Sequence, residues 1–177
     1  SEQLVLEKFL PVQKNSGMVL SPFNAWVVLK GLETLDLRMK AQSAQAHELA
    51  LWLESHPAVA RVHYPGLPSH PQHALALRQM GSGGTLVTFE VAGGKEAAFR
   101  FMNALEIAKI SNNLGDAKTI ATHPATTTHR QLNDEELKKA GVSEDMVRLS
   151  IGIEHIDDII DSQNLRCTTL NPDFIAS

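Results

Sequence analysis

The chain has one cysteine, no basic stripe and no long apolar run, and each of these scarcities removes a class of protein. Cys167 has no second cysteine with which to form an internal disulfide or a zinc motif, which suits a reducing compartment. No uninterrupted apolar run reaches the roughly 18 residues needed to cross a bilayer. The opening S-E-Q-L-V-L-E-K-F-L-P also lacks a signal peptide's order of basic end, apolar middle and small-residue site. A cytoplasmic location without a membrane partner is therefore expected. Acidic and basic side chains are interspersed, and the formal net charge is -4, so no nucleic-acid partner is expected. Internal repeats and low-complexity segments are absent too. The histidines His63, His70 and His73 straddle Pro68 and Pro71 with no cysteine or carboxylate beside them, so turn and surface roles are expected for them and a metal is not.

What is present is the material of a folded domain: 177 residues, 43% of them apolar, enough to bury a core. Residues 1–17 read as a short helix ending in Q-K-N-S-G. Ser21-Pro22 then marks a helix start, with a hydroxyl cap followed by proline at the first helical position. Apolar residues from Phe23 to Met39 and an alanine-rich stretch through Trp52 extend the helical pattern to Pro57. This predicts one helix of more than about 30 residues, roughly 45 Å long at 1.5 Å per residue, with Gly31 as the place where it could bend or divide. The remainder alternates strands and helices. Strands are expected at 59–64, 85–91, 107–110 and 146–151, and helices at 71–80, 95–105, 133–141 and 155–160. In the second of these strands Val87, Phe89 and Val91 share one face and Thr88 and Glu90 the other, as in a sheet covered on one side. The fold class is α+β.

Two segments carry the chemistry. Residues 112–129, N-N-L-G-D-A-K-T-I-A-T-H-P-A-T-T-T-H, read as a long polar turn lying at a surface or cleft. Residues 147–154, V-R-L-S-I-G-I-E, read as a strand bearing a single cation, Arg148. A guanidinium beside amide and hydroxyl donors is a receptor for a small carboxylate through two parallel hydrogen bonds. The other reading of a lone strand arginine is a structural ion pair, which is the more frequent use. His123 and His129 flank P-A-T-T-T and are expected to orient that loop by hydrogen bonding.

Taken in order, S-P-F-N-A-W-V-V-L-K-G-L-E-T-L, Y-P-G-L, G-S-G-G-T-L-V-T-F-E-V, the 112–129 run and V-R-L-S-I-G-I-E resemble the C-terminal part of the Cys/Met-metabolism family of pyridoxal-phosphate enzymes. The resemblance covers roughly residues 1–160. Within that family N-L-G-D followed by H-P-A-T-T-T-H is most like the sulfhydrylases that take O-succinylhomoserine, with methionine γ-lyases and cystathionine γ-synthases as neighbours. The resemblance implies the small C-terminal domain of a fold-type I enzyme: a mostly antiparallel sheet covered by helices, preceded by a long inter-domain helix. Residues 1–55 would be the end of the cofactor domain and the connecting helix, and residues 56–160 the substrate domain. Residues 161–177 lose the helical period and read as a foreign or frame-shifted ending or a subfamily extension, expected to be disordered.

The same resemblance implies a homo-oligomer, a tetramer of tight dimers, with pyridoxal 5'-phosphate held by an N-terminal domain that this chain lacks. None of its nine lysines stands in the family's S-x-T-K setting. G-S-G-G at 81–84 leads into a strand, so it reads as a turn and not as a phosphate loop. No catalytic, cofactor-binding or metal-binding residue is expected in the chain, and alone it should be inactive. The family's substrate-carboxylate residues carry over to Arg148, to Asn113 in place of the usual serine, and to Thr128. Arg148 would be the bidentate clamp, Asn113 would offer its amide or backbone N–H, and Thr128 would offer its hydroxyl to substrate or to its own loop. The expected function is the substrate-binding part of an enzyme making homocysteine from O-succinylhomoserine and sulfide. The alternative is a non-catalytic remnant acting as a binding or interaction module. The apolar stripe of Met18, Phe23 and Trp26 onward reads as domain-interface packing.

Overall fold

Ser21 opens the first long helix because its hydroxyl accepts from the Asn24 N–H at 3.2 Å and Pro22 follows where no intrahelical donor is needed. The structure, a computed structural model, describes residues 1–168, with side chains described as far as Ser162. Before Ser21 come α1 (Glu2–Leu4), a π-helical turn (Val5–Phe9) and α2 (Leu10–Ser16), which Gly17 ends in the left-handed conformation. The helix begun by Ser21 is α3 (Pro22–Glu33), and α4 (Leu35–Ser55) follows after a break at Thr34. The expected single long helix is therefore divided, and Thr34 is the break while Gly31 stays helical. Thr34 has φ −109° and ψ 4°, outside the helical well.

Two compact units result, Ser1–Leu37 and a second beginning at Arg38. The division falls inside α4. Within the first unit every residue of α3 is exposed, including Phe23, Trp26, Leu29 and Leu32.

In the second unit Gln42, Ala46, Leu49, Ala50 and Leu53 of α4 are buried, the i, i+3, i+4, i+7 spacing of one helix face. The four apolar ones share a core with Val87, Phe89 and Val91 of β2 (Leu86–Val91), Val147 and Leu149 of β5 (Met146–Ser150), and Ala97, Ala98 and Phe101 of α6 (Gly94–Asn103). Phe101 meets Phe89 edge-on, at 5.5 Å between ring centres, a favoured aromatic geometry. The sheet has five strands in the order β1-β2-β5-β4-β3, with β1 Val59–His63, β3 Lys109–Ile110 and β4 Ile120–Thr122. All pairings are antiparallel except β3 with β4. Helices α5 (His73–Met80), α7 (Asp134–Lys139) and α8 (Ile156–Thr168) complete the α+β unit.

Two of the motifs have a packing explanation. Y-P-G-L and G-S-G-G close on the buried Tyr64 ring: a Cβ at Gly66 would come within 2.8 Å of Tyr64 Cζ, and one at Gly83 within 2.5 Å of Gly66 Cα. Asn133 begins α7 with a capping box, its side chain accepting from the Glu135 and Glu136 N–H groups and Glu136 accepting from the Asn133 N–H.

Two further expectations need correction. The 112–129 segment is only partly a surface turn: residues 119–125 are buried and Ile120–Thr122 is an interior strand. Its polar groups tolerate burial because each has a partner. Thr119 bonds to Glu154, Thr122 to the Ser111 carbonyl, and His123 to the Glu144 carbonyl and Thr126. The helix expected to close at Ile160 continues to Thr168, so the first part of the expected irregular tail is helical. Residues 169–177 and the side chain of Cys167 lie outside the described residues.

Candidate functional site

The face of the sheet opposite the core carries a row of polar residues. His63, Thr88, Arg148 and Thr122 are cross-strand neighbours from β1 through β2 and β5 to β4. Arg148 is half-buried in that row, and burial lowers its guanidinium from the usual value. An arginine nevertheless stays protonated at any working pH. Its Nη2 donates to the carbonyls of Asn112 and Asn113 and to the hydroxyl of Thr122, each at 3.3 Å. Its Nε is buried and has no hydrogen-bond partner. Among the described residues no carboxylate pairs with Arg148.

The strand motif is a set of fasteners for the loop that Arg148 touches. On alternate residues of R-L-S-I-G-I-E, Ser150 accepts from the Gly115 N–H at 2.9 Å and the Gly152 N–H donates to the Thr119 hydroxyl at 2.9 Å. Glu154 accepts from both the N–H and the hydroxyl of Thr119, at 2.7 and 2.9 Å. From the helix side, buried Gln42 donates to the Asp116 and Ile151 carbonyls, both at 2.8 Å. The period-two spacing signals the strand contribution. A single amide in the apolar stripe 42, 46, 49, 50, 53 was the available signal for Gln42, which sequence reasoning passed over, as it did Ser111 and Thr122.

The other two sequence-derived residues behave differently. Asn113 is exposed, its N–H is used by the Ser111 hydroxyl at 3.3 Å and its carbonyl accepts from Arg148. Only its side-chain amide is left to offer. Thr128 turns its hydroxyl to its own loop, 2.9 Å from His129 Nδ1 and 3.4 Å from the Pro124 carbonyl. The structure thus joins Arg148 to Asn113 directly, while Thr128 has no hydrogen bond to either among the described residues. His123 is locked: its Nε2 lies 2.7 Å from the Glu144 carbonyl, which can only accept, so Nε2 carries the proton. In the neutral ring Nδ1 then accepts from the Thr126 hydroxyl at 2.8 Å.

Among the described residues no group of three or more His, Cys, Asp or Glu is placed to hold a metal ion, and no helix is long and apolar enough to cross a membrane. A cavity of about 730 Å³ lies between β1–β2 and α7, lined in part by Arg61, His63, Glu90 and Lys138. Arg148 does not line it.

With this geometry in place, the comparisons with known proteins decide the family. Residues 2–164 match the family model described as Cys/Met metabolism PLP-dependent enzyme. The chain belongs to that family. It is 51% identical over 146 residues to the O-succinylhomoserine sulfhydrylase of Pseudomonas aeruginosa, covering 82% of this chain and 36% of that protein. It is 42% identical to the L-methionine gamma-lyase of Porphyromonas gingivalis, covering 86% of this chain and 38% of the relative. Among solved structures, an O-acetylhomoserine (thiol)-lyase from Campylobacter jejuni superposes with a TM-score of 0.84 at 38% identity, covering 93% of this chain and 38% of that one. That structure carries a pyridoxyl-lysine phosphate. A cystathionine gamma synthase from Xanthomonas oryzae, solved with cystathionine, gives 0.82 at 36% identity, covering 88% and 40%. The chain therefore spans less than half the length of the relatives it matches.

The family is PLP-dependent, yet the residues described here do not make a site for that cofactor. Lys95 is half-buried beside Glu144 and the other lysines are exposed, whereas a Schiff-base lysine needs a desolvated or cation-flanked setting. Of the G-S-G-G glycines, Gly83 packs closely on Gly66 and Tyr64, and the run leads into β2 and not into a helix.

Proposed function

We propose that the sheet and its helices, residues 56–160 with the buried part of α4, form the substrate-carboxylate-binding part of a PLP-dependent sulfhydrylase. The reaction would join O-succinylhomoserine and sulfide to give homocysteine and release succinate. Residues 1–55 would end the cofactor domain and connect to it, in a tetrameric enzyme whose cofactor lysine lies outside this chain. The observation that carries the reading is Arg148: a half-buried guanidinium, anchored through one nitrogen and without a carboxylate partner among the described residues. A buried cation with no counter-ion is costly unless a ligand supplies one. The substrate's α-carboxylate is the anion every amino-acid substrate of this family offers. Asn113 would contribute its amide, and Thr128 would act by shaping its loop. Relatives at 50–51% identity named O-succinylhomoserine sulfhydrylase support the succinyl ester as substrate, beside one at 49% named for the acetyl ester.

The test is made on the full-length enzyme carrying this segment. Arg148→Ala removes a charge-assisted pair worth roughly 2–4 kcal/mol once water is excluded, so kcat/KM should fall about thirtyfold to a thousandfold. Arg148→Lys keeps the charge without the planar fork and should fall between. Cofactor absorbance should be retained in both. Normal efficiency in Arg148→Ala removes the carboxylate role, and loss of cofactor or fold indicates a structural one. Assays with the succinyl and acetyl esters of homoserine decide the substrate.

A further inference from the structure

We propose that Thr122 is a positioning residue for Arg148: its hydroxyl presets the guanidinium and the Asn112–Asn113 turn in the geometry that receives the substrate carboxylate. The inference rests on the reading of Arg148 as the carboxylate clamp. It begins from the valence of one hydroxyl. Thr122 is buried, and its hydroxyl donates its single hydrogen to the Ser111 carbonyl. Nothing remains for it to do toward Arg148 but accept, and Nη2 lies 3.3 Å away. The cross-strand pairing of Thr122 with Arg148 brings the two side chains together on one face of the sheet.

This one hydroxyl therefore fixes two things. By holding the Ser111 carbonyl it sets the start of the turn whose next two carbonyls, of Asn112 and Asn113, converge on the same Nη2. By accepting from Nη2 it completes a ring of three oxygens around that nitrogen. Nε and Nη2 form the side edge of the guanidinium, and here Nε is buried and Nη2 is engaged. Among the described residues neither Nε nor Nη1 has a hydrogen-bond partner, so the guanidinium keeps N–H groups to offer a ligand while Nη2 anchors it. A guanidinium held in this way loses little further freedom on binding, which is where preorganisation gains affinity. Without the hydroxyl, Nη2 loses an acceptor, the Ser111 carbonyl loses its donor, and both the cation and Asn113 are freed to move.

The test uses the full-length enzyme with Thr122→Val, which keeps shape and removes the hydroxyl, and Thr122→Ser, which keeps the hydroxyl. Thr122→Val should raise KM for the homoserine ester about five- to thirtyfold while kcat changes less than about threefold, since placement and not chemistry is lost. Thr122→Ser should stay within about twofold of the parent, with the cofactor spectrum unchanged in both. In an Arg148→Ala background Thr122→Val should have no further effect on KM, because the group it positions is gone. If Thr122→Val fails to fold, Thr122→Ala against Thr122→Ser makes the same comparison. An unchanged KM in Thr122→Val beside a raised KM in Arg148→Ala overturns the role of Thr122 and leaves the clamp intact. An unchanged KM in Arg148→Ala overturns the clamp itself. A Thr122→Ser enzyme as impaired as Thr122→Val shows that packing of the methyl, and not the hydroxyl, was responsible.

Discussion

Glu154 holds Thr119 at two points, accepting from its backbone N–H at 2.7 Å and from its hydroxyl at 2.9 Å. A residue just past the end of β5 thereby fixes the entry to β4, and with it the strand on which Thr122 faces Arg148. Glu154→Ala leaves a buried amide and hydroxyl without acceptors and should destabilise the chain by about 1–3 kcal/mol. Glu154→Gln keeps one oxygen and should cost less. Urea unfolding reads the stability, and faster hydrogen exchange at the Thr119 amide reads the site. Unaltered exchange in Glu154→Ala would show that the contact does not hold the loop.

Gly152 should tolerate no side chain. A Cβ there would meet the Ala117 carbonyl oxygen and the Lys118 carbonyl carbon, each at 2.5 Å, as well as the Glu154 carboxylate. Two of these are backbone atoms and cannot rotate away. Gly152→Ala is expected to cost roughly 1–3 kcal/mol by overpacking and to weaken the Gly152–Thr119 hydrogen bond. Thermal unfolding tests this, and a melting temperature equal to the parent's would refute it.

Alkaline pH should unfold the second unit through Tyr64. Its ring is fully buried, its hydroxyl donates to the Gly84 carbonyl at 2.9 Å, and burial pushes its phenol up to about 12. The folded pKa lies above the unfolded value of about 10, so folding favours the neutral form. The contribution, on the order of 3 kcal/mol, is complete below about pH 10 and is lost as pH rises through 12. Stability followed by circular dichroism should fall across that window. Tyr64→Phe should remove this step while costing about 1–3 kcal/mol at neutral pH for the unpaired Gly84 carbonyl.

The chain by itself should self-associate. In the first unit α3 is apolar on every side and wholly exposed, with Phe23 69%, Trp26 55% and Leu29 58% accessible. A helix of that kind is ordinarily buried, and monomers rarely keep contiguous apolar patches above a few hundred Å² in water. Light scattering across a concentration series should show association that Phe23→Glu with Trp26→Glu reduces. A monomer at high concentration would count against an interface on this face.

Where local chemistry was decisive, the sequence alone determined the outcome. Ser21-Pro22, Asn133 with Glu136, and Gly17 and Gly141 set helix ends because caps and left-handed turns depend on the residues themselves. The alternation of Val87, Phe89 and Val91 determined which face of β2 is buried for the same reason: period two is a property of the strand. Arg148 was legible as the one cation of its strand, and the family motifs singled it out as the proposed carboxylate clamp. Only the tertiary structure decided that I-A-T becomes an interior strand, since three residues are too few for a periodic signal and the burial depends on partners far along the chain, such as Ser150 and Glu154. Gln42 and Thr122 were invisible for a related reason. An amide or a hydroxyl has no fixed role until the fold states which carbonyl it faces, and theirs lie at Asp116, Ile151 and Ser111. The same holds for the division at Thr34 in place of Gly31 and for the helical start of the expected tail, because helix continuity depends on what the helix packs against as well as on propensity.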